Sequence, residues 1–100
     1  MQWQNVDLRF LFLVPETSGV YVFTVGNQVV YVGQATNLQE RIKQHFSDSE
    51  TNSDLKAVIQ HYRISVLYAE ITGKTALNRA EFDLYNTYKP QCNQIAPPRC

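Results

Sequence analysis

A short basic stretch is the first group of residues in this sequence whose types and spacing could do chemistry. Arg41, Lys43 and His45 lie close together, and cations so placed can neutralise phosphates, which supplies much of the affinity of proteins for nucleic acid. Arg41 and His45 are spaced i and i+4, so on a helix they share a face. Taken alone, such a pair is more often solvated surface than a functional site.

Two tyrosine-containing tripeptides, one glutamate and one asparagine are the other candidates. Gly19-Val20-Tyr21 and Tyr31-Val32-Gly33 contain phenols, Glu81 lies beside an apolar helical stripe, and Asn93 follows a proline. A strand tyrosine by itself usually packs as a half-buried aromatic. A helical glutamate is usually exposed or paired with a neighbour such as Arg79, and an asparagine after proline is usually a turn residue. Separately, none of them indicates a site.

A β-hairpin is the first element predicted to position these residues. Gly19–Val25 and Gln28–Val32 are rich in Val, Tyr and Phe, and Gly26-Asn27 lies between them. Two β-favouring runs around a Gly-Asn pair are typical of a hairpin. We expect Gly33 to break the second strand.

Capping residues and apolar periodicity predict the remaining elements. Thr36 or Asn37 can cap a first helix, with Glu40 in a capping-box position after Asn37 and an apolar stripe of Leu38, Ile42 and Phe46. A second helix, a third strand and a longer helix are predicted over Asp54–Gln60, Arg63–Ile71 and about 72–88. The order β-β-α-α-β-α predicts an α/β protein of the α+β type, a small three-stranded antiparallel sheet flanked by helices.

The composition is that of one small globular domain. The chain has 100 residues and a formal net charge of zero, which argues mildly against strong nucleic-acid binding. No apolar run reaches the roughly 20 residues that cross a bilayer, and no leader pattern is visible. We therefore expect a cytoplasmic protein with no membrane partner. Cys92 and Cys100 are expected to be free thiols, and the oligomeric state stays open.

Taken together, the candidate residues resemble the GIY-YIG nuclease family over about residues 18–94. The resemblance is carried, in the family's order, by Gly19–Tyr21, Tyr31–Leu38, Arg41 with His45, Glu81, and Lys89–Asn93. The stretches 31–46 and 81–93 are most similar to the N-terminal nuclease domain of the nucleotide-excision-repair endonuclease. Two positions depart from that enzyme: Gln34 replaces a lysine, and His45 replaces a tyrosine that is histidine in many other members.

The resemblance implies a single domain, residues 1–100, that hydrolyses DNA phosphodiester bonds with one Mg²⁺ or Mn²⁺ ion. The implied catalytic residues are Tyr21, Tyr31, Arg41, His45 and Glu81. Glu81 would hold the ion, and the planar fork of Arg41 would brace the phosphate. His45 would hydrogen-bond the phosphate or the attacking water, and one of the two tyrosines would be the general base. Which tyrosine it is stays open.

The resemblance also implies substrate contacts and partners. The expected substrate-binding residues are Gly33, Gln34, Lys43 and Asn93, with Asn93 holding the tail near the site. DNA is the implied substrate, and a partner protein that supplies DNA specificity is expected, because the chain lacks the extra DNA-binding domains of the family.

The register of the hairpin gives a structural test of this reading. With a two-residue loop, Tyr21 pairs with Val32, which puts Tyr21 and Tyr31 on opposite faces of the sheet. If both tyrosines line one site, the register must shift. We predict either a β-bulge or, most simply, a three-residue loop over Gly26–Gln28.

Two other hypotheses stay open. In one, the GIY-YIG fold persists as a catalytically inactive module that binds DNA or a protein; the zero net charge and Gln34 support it. In the other, the motif agreement is a coincidence and the chain is a small α/β interaction domain. Nicking of plasmid DNA that requires a divalent metal and is lost with EDTA separates the nuclease from both.

Overall fold

The structure is a computed structural model that describes residues 2–47, 50, 52–90 and 92. Its elements in chain order are strand β1 (Gln4–Val6), a 3-10 helix (Leu8–Leu13), strands β2 (Gly19–Val25) and β3 (Gln28–Ala35), helices α1 (Leu38–His45) and α2 (Ser53–His61), strand β4 (Ser65–Glu70) and helix α3 (Lys74–Tyr88). The predicted α+β class is confirmed. No helix in this described part is long and apolar enough to cross a membrane.

The sheet has four antiparallel strands rather than the predicted three, in the order β1-β4-β2-β3. The additional strand, β1, pairs with β4 along the edge. Its sequence is short and polar, and only Val6 is buried whereas Gln4 and Asn5 are exposed. Three residues with one buried side chain show too little alternation to be recognised as a strand.

The turn between β2 and β3 has two residues, so the predicted three-residue loop is wrong. Val25 pairs with Gln28 across Gly26-Asn27. Gly26 has a φ of 59°, which suits glycine at the first central position of a type II′ hairpin turn.

A β-bulge corrects the register, as the alternative prediction required. Thr24 pairs with Val29 but Phe23 pairs with Tyr31, which leaves Val30 as the extra residue. Beyond the bulge, side chains on β3 change faces relative to β2. The carbonyl of Val30 accepts a hydrogen bond from the amide of Cys92 at 2.9 Å, so the ladder bond lost at the bulge is replaced from the end of the described chain.

The bulge brings the two tyrosines onto one face. Tyr21 now pairs with Gly33, and the rings of Tyr21 and Tyr31 have centroids 6.2 Å apart. Gly33 does not break β3, contrary to expectation, because the strand continues to Ala35. A Cβ at Gly33 would overlap the ring of Tyr21, so glycine leaves room for that ring.

Helices cover both faces of the sheet. Since neighbouring strand residues point to opposite faces, Tyr21 and Val20 belong to different clusters. Tyr21 lies in the larger cluster, which includes Leu38 and Ile42 of α1 and Leu55 of α2. The smaller cluster joins strand residues to α3 and comprises Val20, Ala69, Leu77 and Ala80.

Asparagine side chains begin both helices that carry the larger cluster. Oδ1 of Asn37 accepts a hydrogen bond from the amide of Glu40 at 3.0 Å, which satisfies one of the free amides in the first turn. Asn52 caps α2 through the amide of Leu55 at 3.1 Å. These caps fix where α1 leaves the end of β3 and where α2 begins.

Candidate active site

A buried hydrogen bond between a tyrosine and a histidine lies at the centre of the candidate site. The hydroxyl oxygen of Tyr21 is 2.6 Å from Nε2 of His45. The two residues are 1% and 2% exposed. Rings enclose the pair: the centroid of His45 is 5.3 Å from that of Phe23 and 5.0 Å from that of Tyr31. This packing holds the imidazole on the face of the sheet that carries both tyrosines.

His45 lies on the buried side of α1, although its i, i+4 spacing from Arg41 predicted that the two residues share a face. Leu38, Ile42 and His45 are the buried residues of the helix, whereas Arg41 is exposed. The spacing of three residues after Ile42 brings His45 onto the same side as the apolar stripe. Both ring nitrogens of His45 have protein partners, so a direct hydrogen bond from His45 to the phosphate or to the attacking water, the expected role, is disfavoured.

Glu50 is a residue of this site that the sequence did not indicate. Its Oε2 contacts Nδ1 of His45, and its Oε1 accepts a hydrogen bond from the amide of Asn52 at 2.8 Å. Glu50 lies among serine, threonine and asparagine residues, a composition typical of a solvated loop. No local pattern distinguishes it; only the fold brings this carboxylate to α1.

Burial shifts the pKa of each group around the Tyr21–His45 bond. Burial raises the pKa of Tyr21 well above 10, with the nearby Tyr31 adding to the rise and Arg41 opposing it. Burial also raises the pKa of Tyr31, and the charge of Arg41 again opposes the shift. Burial lowers the pKa of His45 below 6.5, although the hydrogen bond to Glu50 partly restores it. Both phenols and the imidazole are therefore neutral at pH 7.

Glu50 is the charged member of the group. Burial alone would raise its pKa, but the hydrogen bonds from the amide of Asn52 and from His45 outweigh burial and leave the pKa below 4.5. The carboxylate is thus ionised at neutral pH while its side chain is only 6% exposed.

Glu81 of α3 is held by a glutamine from the edge strand. Nε2 of Gln34 donates to Oε1 of Glu81 at 2.9 Å and to Oδ1 of Asn78 at 2.7 Å. Burial raises the pKa of Glu81, with the Gln34 hydrogen bond and the charge of Lys74 opposing the rise. Asn78 was not predicted, although its position three residues before Glu81 places it on the same side of the helix.

Arg41 and Glu81 approach the tyrosines from different helices. Arg41 belongs to α1 and Glu81 to α3, yet the charges of both act on the pKa of Tyr21 and of Tyr31. Gln34 links the two charged groups in space, because it lines the same cleft as Arg41 and donates a hydrogen bond to Glu81.

An open cleft of about 310 Å³ lies between the end of β3 and the start of α1. It is lined by Gln34, Ala35, Thr36, Asn37, Glu40, Arg41 and Gln44. Of the expected site residues, Arg41 and Gln34 line this cleft, and the tyrosines, His45 and Glu81 do not. Gln34, which also holds Glu81, connects the cleft to the carboxylate.

The remaining expected substrate contacts have different environments. Gly33 is buried beneath Tyr21, which disfavours a direct contact between Gly33 and substrate. Lys43 is exposed, with its Nζ 3.5 Å from Oε1 of Gln39. Asn93 lies outside the described residues.

Comparison with known protein families identifies the architecture. The model of the GIY-YIG catalytic domain matches residues 17–95. The chain belongs to the GIY-YIG catalytic domain family. The match begins just before β2 and includes both tyrosine tripeptides, α1 and α3, which agrees with the predicted range of 18–94.

Relatives of this GIY-YIG domain include repair proteins. The chain is 35% identical over 81 residues to UvrABC system protein C of Aquifex aeolicus, and 36% identical over 90 residues to that of Fervidobacterium nodosum. These matches cover 81% and 90% of this chain but only 14% and 16% of the two relatives.

A solved structure shares the fold. The GIY-YIG N-terminal endonuclease domain of UvrC from Thermotoga maritima, bound to magnesium as its catalytic divalent cation, superposes with a TM-score of 0.73. The superposition covers 85% of this chain and 92% of that one, at 20% sequence identity. The expected similarity to the N-terminal nuclease domain of the repair endonuclease is confirmed, and at this identity the superposition establishes the fold.

The GIY-YIG family is named after two tripeptides, and in this chain the bulge at Val30 sets how they pair across the hairpin. Tyr21 from the first tripeptide pairs with Gly33 from the second, and Tyr31 lies beside Tyr21 on the same face. The glycine of each tripeptide has a steric reason: at Gly19 and at Gly33 an added Cβ would overlap neighbouring atoms.

Proposed function

We propose that this chain is a catalytic domain that hydrolyses DNA phosphodiester bonds with one divalent cation. The observation that carries the proposal is that four features suited to phosphodiester hydrolysis lie at the β3 edge of the sheet. Those are the Tyr21–His45 hydrogen bond, the half-buried phenol of Tyr31 beside it, the exposed guanidinium of Arg41, and the carboxylate of Glu81. Gln34 connects the last two, because it lines the cleft with Arg41 and donates to Glu81. Phosphodiester hydrolysis requires a proton acceptor for water, cations at the phosphate, and a ligand for a metal ion.

Glu81 fits the role of a ligand to one Mg²⁺ or Mn²⁺. Gln34 orients its carboxylate through one oxygen, and burial raises its pKa, a penalty on the charged form that a bound cation would relieve. Magnesium commonly takes one or two protein carboxylates and completes its shell with water and substrate phosphate. When bound, the ion would stabilise negative charge on the phosphate. Magnesium is supported by the related domain's cation, whereas manganese rests on ligand chemistry alone.

Arg41 is placed to bind the scissile phosphate. It is exposed, lines the open cleft, and is anchored by a hydrogen bond from its Nη1 to Oε1 of Gln44 at 3.2 Å. The planar fork of a guanidinium can donate two parallel hydrogen bonds to phosphate oxygens. An exposed arginine retains free donors for this purpose.

Tyr21 is the better candidate for the general base. Burial raises its pKa, so a free phenolate is scarce at neutral pH and the phenol must release its own proton as it accepts one. Tyr21 has an acceptor for that proton, Nε2 of His45 at 2.6 Å. Tyr31 is more exposed than Tyr21, and its ring lies 6.2 Å from that of Tyr21, centroid to centroid, which suits a role in orienting the attacking water.

Several finer elements belong to the same proposal. Lys43 and Asn93 would contact the DNA backbone, while Gln34 would act by orienting Glu81. The relatives are named as components of a UvrABC system. We therefore propose that this chain also works with a partner protein, which supplies DNA specificity. Cys92 is a free thiol, in keeping with the reducing cytoplasm proposed as its location.

A catalytically inactive binding module is the second candidate. The formal net charge of zero favours it, because nucleases that bind DNA unaided usually carry a basic excess. Such a module would bind DNA or a protein without cutting.

Incubation of the chain with supercoiled plasmid, single-stranded, flapped and branched DNA tests both candidates. We expect nicking of at least one substrate in magnesium or manganese, and none after EDTA is added. The Arg41→Ala variant should lose cleavage. The Arg63→Ala variant, which removes an exposed arginine just before β4, should retain it. Binding without metal-dependent cleavage of any of these substrates would favour the inactive module.

A further inference from the structure

A carboxylate outside the family motif completes a buried hydrogen-bonded chain with the proposed base. Glu50 contacts Nδ1 of His45, and Nε2 of His45 is hydrogen-bonded to the hydroxyl of Tyr21. We call these three residues the Glu50–His45–Tyr21 chain. Its imidazole and carboxylate side chains are only 1% and 6% exposed, so water cannot easily replace either contact.

The chemistry of the three groups determines which atom donates at each contact. An ionised carboxylate only accepts hydrogen bonds, so Nδ1 of His45 must carry the proton that faces Glu50. In a neutral imidazole the other nitrogen, Nε2, then has no proton and accepts. The hydroxyl of Tyr21 is consequently the donor to Nε2, and its lone pairs face away from His45.

Glu50 is itself held in place from a second side. Its Oε1 accepts from the amide of Asn52 at 2.8 Å, and the side chain of Asn52 both caps α2 and donates through Nδ2 to the carbonyl of Cys92. With both oxygens engaged, the carboxylate cannot rotate away from His45 without losing a hydrogen bond.

We propose that Glu50 is a positioning residue for DNA cleavage: it holds His45 in the tautomer with the proton on Nδ1, so that Nε2 can receive the hydroxyl proton of Tyr21. This inference rests on the proposed function, because it gives Tyr21 the role of general base. The low pKa of Glu50 and the lowered pKa of His45 agree with an ionised carboxylate and a neutral imidazole in the resting state.

The proton transfers balance over one turnover. As water attacks, it gives a proton to the oxygen of Tyr21, and Tyr21 gives its own proton to Nε2 of His45. The electron pair from the broken O–H bond forms the new P–O bond, and the bond to the leaving oxygen breaks with its pair on that oxygen. The leaving oxygen takes a proton from solvent, and the proton on Nε2 of His45 returns to the oxygen of Tyr21, which releases the proton it took from water to solvent. One water is consumed for each bond cut, and the ionised Glu50 stabilises the transient imidazolium.

Nitrogen NMR of the histidine rings tests the tautomer without any requirement for activity. The chain has two histidines, and the exposed His61 at the end of α2 serves as an internal reference. At pH 7.5 we expect His45 to carry its proton on Nδ1. A parent chain with the proton of His45 on Nε2 would overturn the inference, and this measurement needs no variant to fold.

Glu50→Gln is the informative variant. An amide has one acceptor oxygen for two donors, the amide of Asn52 and Nδ1 of His45. The amide of Asn52 is fixed at the start of α2 and already holds this oxygen position, so we expect the oxygen of the variant to stay there. The NH₂ group then faces Nδ1, and the tautomer inverts so that Nε2 carries the proton. Tyr21 can then no longer donate to His45. A folded Glu50→Gln variant that keeps the tautomer of the parent would contradict the inference.

Cleavage kinetics supply the second measurement. In Glu50→Gln we expect kcat to fall about 100-fold or more, the scale of a positioned proton transfer, with KM unchanged because Glu50 does not contact substrate. Glu16→Gln, the same change at an exposed carboxylate before β2, should match the parent. A Glu50→Gln variant with the kcat of the parent would refute the inference about Glu50 and leave the proposed function standing. A parent that cuts no DNA refutes the proposed function and this inference with it.

Discussion

Replacement of Gly33 by alanine should disturb the active site through one added methyl group. The new Cβ would overlap Cζ, Oη and Cε2 of Tyr21. The Tyr21 ring cannot easily retreat, because the rings of Phe23 and His45 lie 5.5 Å from it, centroid to centroid. To make room, the phenol must tilt away from β3 and lengthen its hydrogen bond to Nε2 of His45.

The expected loss of stability follows from those two effects. Overpacking a filled core costs about 1–3 kcal/mol, and loss of a buried hydrogen bond costs about 1 kcal/mol more. The sum of about 2–4 kcal/mol corresponds to a fall in Tm of at least about 8 °C, because a domain of this size loses about 4–8 °C per kcal/mol.

Thermal melts and plasmid nicking, run on the same preparations, measure both consequences. Gly26→Ala is the matched control: Gly26 has a φ of 59° and open space around it, so alanine there strains the turn by about 1 kcal/mol without touching Tyr21. Both variants should lose stability, but only Gly33→Ala should cut DNA more slowly below its Tm. A Gly33→Ala variant that melts within about 2 °C of the parent and cuts at the same rate would refute the steric reasoning.

Three further predictions concern the same site and its charge. Tyr21→Phe should destabilise the chain by about 1–3 kcal/mol, because it leaves the buried Nε2 of His45 without a hydrogen-bond donor. Tyr31→Phe, at a half-buried position, should destabilise it less. Thermal melts that rank the two variants in reverse would contradict the buried contact between Tyr21 and His45. Acidification should lower Tm. The pKa of folded His45 lies below 6.5 and that of folded Glu50 below 4.5, so the unfolded chain binds protons at a higher pH than the folded chain does. The stability from these two groups is therefore complete above pH 6.5 and declines as the pH falls through those two pKa ranges. A Tm that rises between pH 7 and pH 4, about the usual pKa of a carboxyl, would show the opposite sign. DNA binding by the isolated chain should be weak and should fall steeply with salt, by a log–log slope of about −0.9 for each phosphate neutralised; tight binding that is insensitive to salt in a filter assay would point to base readout.

Local signals were sufficient to predict most of the fold. The hairpin follows from β-favouring runs around Gly26-Asn27, and the start of α1 follows from its cap, since the side chain of Asn37 accepts a hydrogen bond from the amide of Glu40. Each of these depends on atoms within a few residues along the chain, which is the range that propensity and capping describe.

The features that were missed depend on contacts between distant parts of the chain. The need for a register shift could be deduced, but its position could not, because the carbonyl freed at Val30 is satisfied by the amide of Cys92. Strand β1 forms only because β4 offers it an edge. Three mostly polar residues have no comparable preference by themselves.

Within the site, residue types were predicted better than their environments. His45 was expected on a shared face with Arg41, but packing against Tyr21 and Phe23 turns that side of α1 inward. Glu50 was absent from the prediction because a carboxylate in a polar loop is ordinarily solvated. Its burial against His45 depends on how α2 is placed, which no local pattern specifies.

The comparison of Glu81→Gln with Asp83→Asn in a plasmid-nicking assay tests the proposed activity most directly. Glutamine can keep the hydrogen bond from Gln34 and the volume of Glu81 while it removes the charge that would hold the cation. Asp83 is an exposed carboxylate on the same helix and serves as the matched control. With magnesium or manganese present, we expect the cleavage rate of Glu81→Gln to fall by orders of magnitude, while Asp83→Asn cuts at the rate of the parent. The free energy of unfolding of Glu81→Gln should stay within about 0.5 kcal/mol of that of the parent. A folded Glu81→Gln chain that nicks plasmid as fast as the parent would contradict the assignment of the metal to Glu81 and the active site built around it.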